Sequence, residues 1–144
     1  MPRSHRDSRA LSLLRELHRA YRRVQAADVA FLKRYGLRQG DFDVIATLGN
    51  TEGLRMSDLA ARMLTSAPNV TRMVKRLEAE GFVTRVRGEL SDREVVARLT
   101  ERGEAVFAEV YPEAFRFHDA LYNATLSGEE QDRLIELLAR VAPD

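Results

Sequence analysis

A mainly α-helical fold with one small β-hairpin is predicted, and three observations carry the prediction. Apolar residues recur at three- and four-residue steps over most of the 144 positions. Residues 82–99 switch to two short β-prone runs around a polar turn. With 44% hydrophobic residues and only 8 Gly and 4 Pro, the chain can bury one core, so a single domain over 1–144 is expected.

Leu11, Leu14, Leu17, Tyr21, Val24 and Leu32 place an apolar stripe on one long helix from about Arg9 to Tyr35, stopped at Gly36. A second helix is expected from about Gln39 to Gly49, with Phe42, Ile45 and Ala46 inward, before the turn-rich run Gly49 to Gly53. A short helix from about Ser57 to Leu64 follows, with Leu59, Ala60 and Met63 as its buried stripe.

The segment Leu64 to Val83 is the most informative. Ser66 suits an N-cap, Pro68 falls in the first turn where its missing N–H costs nothing, and Gly81 ends the helix. Val70, Met73, Val74 and Leu77 share one face. At about 100° per residue the opposite face carries Pro68, Arg72 and Lys75, flanked by Asn69, Thr71 and Arg76. Amphipathicity of this kind also describes an ordinary surface helix, so the segment after the helix is decisive. Phe82–Arg87 and Glu94–Leu99 read as paired strands around the turn Gly88 to Arg93. A short helix, a cationic amphipathic helix and a hairpin in that order make a winged helix-turn-helix over residues 37–100, with Arg85, Arg87 and Arg93 on or beside the wing.

In the last third, Glu101 to Tyr111 is helical with Val106, Phe107 and Val110 apolar. Pro112 is expected to kink or restart the helix before Ala114, Phe115, Leu121 and Tyr122. Ser127-Gly128-Glu129-Glu130 is a capping box opening a last helix striped by Leu134, Ile135, Leu137, Leu138 and Val141. The winged core fills itself, so the terminal helices, 9–35 and 101–142, are expected to form a dimerisation region.

Charge narrows the partner. Residues 1–40 hold 10 Lys/Arg against 3 Asp/Glu, whereas 101–144 hold 4 against 10, so a polyanion should meet the first two-thirds of the chain. Without cysteine there are no disulfides, thiolate metal sites or thiol sensors. No run approaches the ~20 apolar residues of a membrane helix, and Met1 to Arg9 has no apolar signal-peptide centre behind it, so a cytoplasmic protein without membrane contact is expected. His5, His18 and His118 lack ligand spacing, and no glycine-rich nucleotide loop or nucleophile elbow occurs. Catalysis, metals and cofactors are therefore not expected. The main alternative is a winged-helix module that binds protein instead of DNA, with an enzyme a distant second.

The runs Ser57-Asp58-Leu59-Ala60-Ala61-Arg62-Met63 and Thr65 to Val83 resemble, without a gap, the helix-turn-helix of the MarR family of transcriptional regulators. Arg98-Leu99-Thr100-Glu101-Arg102-Gly103 is similar to the start of that family's fifth helix. The resemblance implies a homodimer that binds pseudo-palindromic promoter sites in double-stranded DNA and is often released by a small-molecule effector. The expected function is sequence-specific transcriptional regulation, as a repressor of its own or neighbouring genes. Expected DNA contacts are Ser66, Pro68, Asn69, Thr71, Arg72, Lys75 and Arg76 on the helix and Arg85, Arg87 and Arg93 on the wing, with Asn69, Thr71 and Arg72 at base edges and Lys75 and Arg76 nearer the backbone.

One departure concerns the wing tip. In Ser91-Asp92-Arg93 serine stands where the family has aspartate, which leaves open whether Asp92 steers Arg93. The resemblance also suggests a ligand crevice between dimer helices and winged domain, to which His18, Asp43, Arg72 and Arg85 would contribute for a small aromatic anion or planar heterocycle. Urate-responsive members are similar at the position of Asp43, but this chain has no tryptophan to stack a purine. The competing expectation is that Asp43 merely pairs with an arginine to fix the second helix against the wing.

Overall fold

The computed structural model describes residues 8–87 and 94–142. Its elements run α1 (Arg9–Lys33), α2 (Gln39–Leu48), β1 (Leu54–Arg55), α3 (Met56–Arg62), α4 (Ala67–Ala79), β2 (Val83–Arg87), β3 (Val95–Leu99), α5 (Glu101–Asn123) and α6 (Gly128–Val141). The result is the expected winged helix-turn-helix, with helices before and after it.

Helix ends follow the local chemistry. Ser8 Oγ accepts from Leu11 N at 3.1 Å to open α1. At its other end Leu37 N donates to Leu32 O and Gly36 N to Lys33 O, a Schellman closure that needs the left-handed φ of +70° at Gly36. The same pair of bonds, Phe82 N to Leu77 O and Gly81 N to Glu78 O, ends α4 at Gly81 (φ +82°). After α3, however, this closure falls on Leu64, whose φ of 50° costs about 1–2 kcal/mol in a non-glycine residue. The helix thus stops at Arg62 and Leu64 lies 92% exposed in the turn, outside the helix that periodicity assigned to it.

Two further differences have simple causes. The wing has a third strand: Leu54 and Arg55 pair antiparallel with Ala97 and Val96, giving the order β1-β3-β2. Two residues are too few for an alternating pattern to register. Gly53 lets the chain come so close, since a Cβ there would meet Ala97 O at 3.0 Å and the Arg98 side chain closer still. Helix α5 also runs unbroken through Pro112. Proline removes the bond to the carbonyl of Ala108, but both residues sit on the exposed face where water can take that carbonyl, while Phe107 and Val110 are anchored inside.

The main core joins α2, α3, α4, the sheet and α5 through Val44, Ile45, Leu59, Val74, Leu77 and Phe107. A second cluster of Phe31, Leu32, Phe42 and Val110 ties α1 and α5 to α2, with Phe31 and Phe117 rings stacked at 4.8 Å. Residues of α5 thus belong to the winged core as well as to the terminal region. By contrast α6, opened by the full Ser127–Glu130 capping box, buries no residue in the single chain.

Candidate nucleic-acid interface

Helix α4 is held from below and free above. Val70, Val74 and Leu77 are fully buried, while Ala67, Pro68, Thr71, Arg72 and Lys75 line a shallow open depression on the outer face. Ser66 takes the N-cap conformation (φ −75°, ψ 148°), yet its hydroxyl makes no capping bond. Asn69 Nδ2 donates to Thr65 Oγ1 at 3.4 Å and Arg72 Nη2 donates to Asn69 Oδ1 at 2.8 Å. This short chain orients the Arg72 guanidinium at the N-terminal half of the helix, where side chains can reach base edges in a major groove.

Arg76 has a different job from the one its place on the helical wheel suggests. Its Nε donates to Asp41 Oδ1 at 3.1 Å and Oδ2 at 3.2 Å, and its Nη2 also bonds Oδ1. Asp41 is only 4% exposed in the first turn of α2, so the pair pins α4 to α2. The Asp41 hydrogen bond also raises the Arg76 pKa above its ordinary value. A helical wheel could not reveal this, because the partner lies 35 residues away in sequence.

Arg85 is likewise engaged. Its Nε donates to Glu78 Oε2 at 2.9 Å, its Nη2 lies 2.7 Å from the same oxygen, and its backbone N donates to Oε1 at 3.2 Å. The side-chain hydrogen bond, ahead of all other influences, lowers the Glu78 pKa. Arg87 is exposed at the end of β2. Arg93 lies outside the described residues, as do Ser91 and Asp92. Sequence reasoning missed Arg55: β1 brings it to the base of the wing, where its Nη1 lies 3.3 Å from Glu94 Oε1.

The suggested crevice residues do not share a bond among the described residues. His18 is exposed on α1, Arg72 faces outward from α4, and Arg85 holds Glu78. No described arginine pairs with Asp43; the aspartate of α2 that does fix an arginine is Asp41. Asp43 reaches solvent at its surface but sits among densely packed protein atoms, so burial raises its pKa and the Asp28 carboxylate adds to the rise. Asp28 is itself raised by burial, an effect opposed by His118, whose Nε2 lies 3.1 Å from Asp28 Oδ1. A raised folded-state pKa means that stability is lost as pH rises through it. Asp43→Asn should therefore be more stable than the wild type near neutral pH, with the gap closing towards about pH 3, where Asp43 is protonated in both states. Urea melts at the two pH values measure it; a gap that persists in acid would contradict the assignment.

Among the described residues there is no cluster of three metal-ligating side chains, and no helix is long and apolar enough to cross a membrane.

Comparisons agree with this geometry. The MarR family model matches residues 37–95. The HTH-type transcriptional regulator YkoM of Bacillus subtilis is 32% identical over 133 residues, covering 92% of this chain and 85% of that protein. Among solved structures, AbsC, a MarR family transcriptional regulator from Streptomyces coelicolor, superposes with a TM-score of 0.84 at 24% identity, covering 91% and 90% of the two chains. A mutant MarR from E. coli complexed with operator DNA gives 0.85 at 22% identity over 93% and 96%. The PcaV regulator from Streptomyces coelicolor, in complex with its natural ligand, gives 0.73 at 23% identity over 85% and 88%.

Proposed function

The chain belongs to the MarR family and is a DNA-binding transcriptional regulator, and on that premise we propose that it works as a homodimer reading a pseudo-palindromic operator, repressing its own or neighbouring genes. The observation that carries the reading is the outer face of α4: Thr71, Arg72 and Lys75 stand over a helix whose inner face is locked by packing and by Asp41–Arg76. Asn69, Thr71 and Arg72 take the bases, Lys75 takes a phosphate, and Arg87, Arg93 and Arg55 work from the wing. Ser66 and Pro68 lie at the helix tip that enters the groove. Arg76 and Arg85 act by positioning, since their guanidinium groups are already paired.

The homodimer is supported by the apolar residues the single chain leaves in water: Leu134, Ile135, Leu138 and Val141 on α6, with Phe115 on α5 and Leu14 on α1, are each 41–65% exposed. Pairing would bury them and set two α4 helices about 34 Å apart, one turn of B-DNA. The family is one of regulators and not of enzymes, and the site of action is the cytoplasm, where the operator is. Release by a small-molecule effector belongs to the proposal too, supported by the ligand held by PcaV.

A salt series tests it. Operator affinity should fall steeply as salt rises, because each neutralised phosphate releases counterions. Arg72→Ala should cost about 1–3 kcal/mol and relax the preference at one base position, whereas Lys75→Ala should weaken all sequences alike and flatten the salt slope by about one. A protein-binding module would show no retardation of duplex DNA at any salt concentration.

A further inference from the structure

On the side of α4 away from its exposed face, the α1–α2 turn, the last turn of α4 and the first turns of α5 enclose a recess of about 760 Å³. Leu37, Leu77, Phe82 and Val106 make apolar walls, and Arg38 and Arg102 stand at the rim. Arg102 is held in place: its Nη1 donates to Glu80 O at 2.8 Å and its guanidinium carbon lies 4.3 Å above the Phe82 ring. Neither arginine has a carboxylate within salt-bridge distance among the described residues. Asp41 lines the recess as well, but Arg76 neutralises it, which leaves two guanidinium groups against the single carboxylate of Glu80.

We propose that this recess binds a small organic monoanion with an apolar body, its carboxylate between Arg38 and Arg102 and its body against Leu37, Leu77, Phe82 and Val106. The volume is that of small-molecule sites, which combine apolar walls with a few fixed polar groups. The charge balance selects one negative charge, and the walls reject an ion without an apolar part. A ligand here sits beside Asp41, the residue that pins α4 through Arg76, and against Leu77 of α4 itself. Occupancy therefore biases the seating of the recognition helix, a consequence that rests on the DNA reading above, whereas the binding does not.

Benzoate is the probe, titrated calorimetrically into the full-length protein without DNA, beside benzamide, its uncharged isostere, and inorganic phosphate, an anion with no apolar body. Expected are saturable binding of one benzoate per chain, binding at least about tenfold weaker for benzamide and for Arg38→Gln and Arg102→Gln, and no saturation with phosphate. Arg38 is exposed and its variant keeps the fold even if loss of the Arg102–Phe82 contact weakens the other. Lack of saturation by benzoate, equal affinity for benzamide, saturation by phosphate, or unchanged affinity in Arg38→Gln overturns the site. In a second arm, saturating benzoate should change operator affinity by about fivefold or more. Unchanged affinity at saturation overturns the coupling, and failure of the ligand-free protein to bind operator overturns the DNA reading while leaving the calorimetric result standing.

Discussion

Arg76→Ala is expected to destabilise the protein by about 2–4 kcal/mol, and Asp41→Ala by clearly less. The two side chains share one ion pair but not one environment: Asp41 is 6% exposed and Arg76 30%. Removing the arginine strands a carboxylate in the interior, where an unpaired charge is costly. Removing the aspartate leaves a guanidinium that can swing into water and recover its hydration. Urea unfolding of both variants at neutral pH measures the asymmetry. Equal losses, or losses below about 0.5 kcal/mol in both, would show that the pair does not anchor α4. The operator should register the same defect, since a recognition helix free to shift on α2 presents Arg72 in many orientations.

Leu134→Glu combined with Leu138→Glu should raise the dimer dissociation constant at least about a hundredfold. Each leucine is over 40% exposed in the isolated chain, so neither contributes much to its core and the monomer should stay folded. In the dimer both would lie in an apolar interface, where a carboxylate loses its hydration without gaining a partner. Light scattering on the variant should give a mass near the 16.4 kDa of one chain, with the helical circular-dichroism signal retained. Operator affinity should fall with it, because two linked half-site contacts become two separate ones. A variant that remains dimeric would remove α6 from the interface.

Much of this was legible in the sequence, for reasons that differ by element. The stripe Val70, Met73, Val74 and Leu77 identifies α4 because a helix buried on one side must repeat every 3.6 residues, and Gly81 ends it because only the left-handed region closes the Schellman bonds. The capping box at Ser127 could be read directly, since all its partners lie within three residues. What the sequence hides is long-range or very short. Strand β1 is defined by its partner, β3, and not by any pattern of its own. Helix α5 survives Pro112 because of tertiary anchoring on one face, which local propensity does not contain. The clearest limit is in the cations. Arg72, Lys75 and Arg76 look equivalent on a helical wheel, yet a buried aspartate 35 residues earlier takes Arg76 out of the exposed set. Arg85 and Arg87, two residues apart on one strand, part in the same way, because Glu78 on α4 faces only the first.

The most direct test of the account is selection of bound sequences from random duplex DNA by the full-length protein. A dimer presenting two α4 helices predicts a single enriched motif with dyad symmetry, its half-sites about 10 base pairs apart centre to centre, and loss of one base preference per half-site when Arg72 is replaced by alanine. Enrichment of an asymmetric single site, or no enrichment above the starting pool, would contradict it.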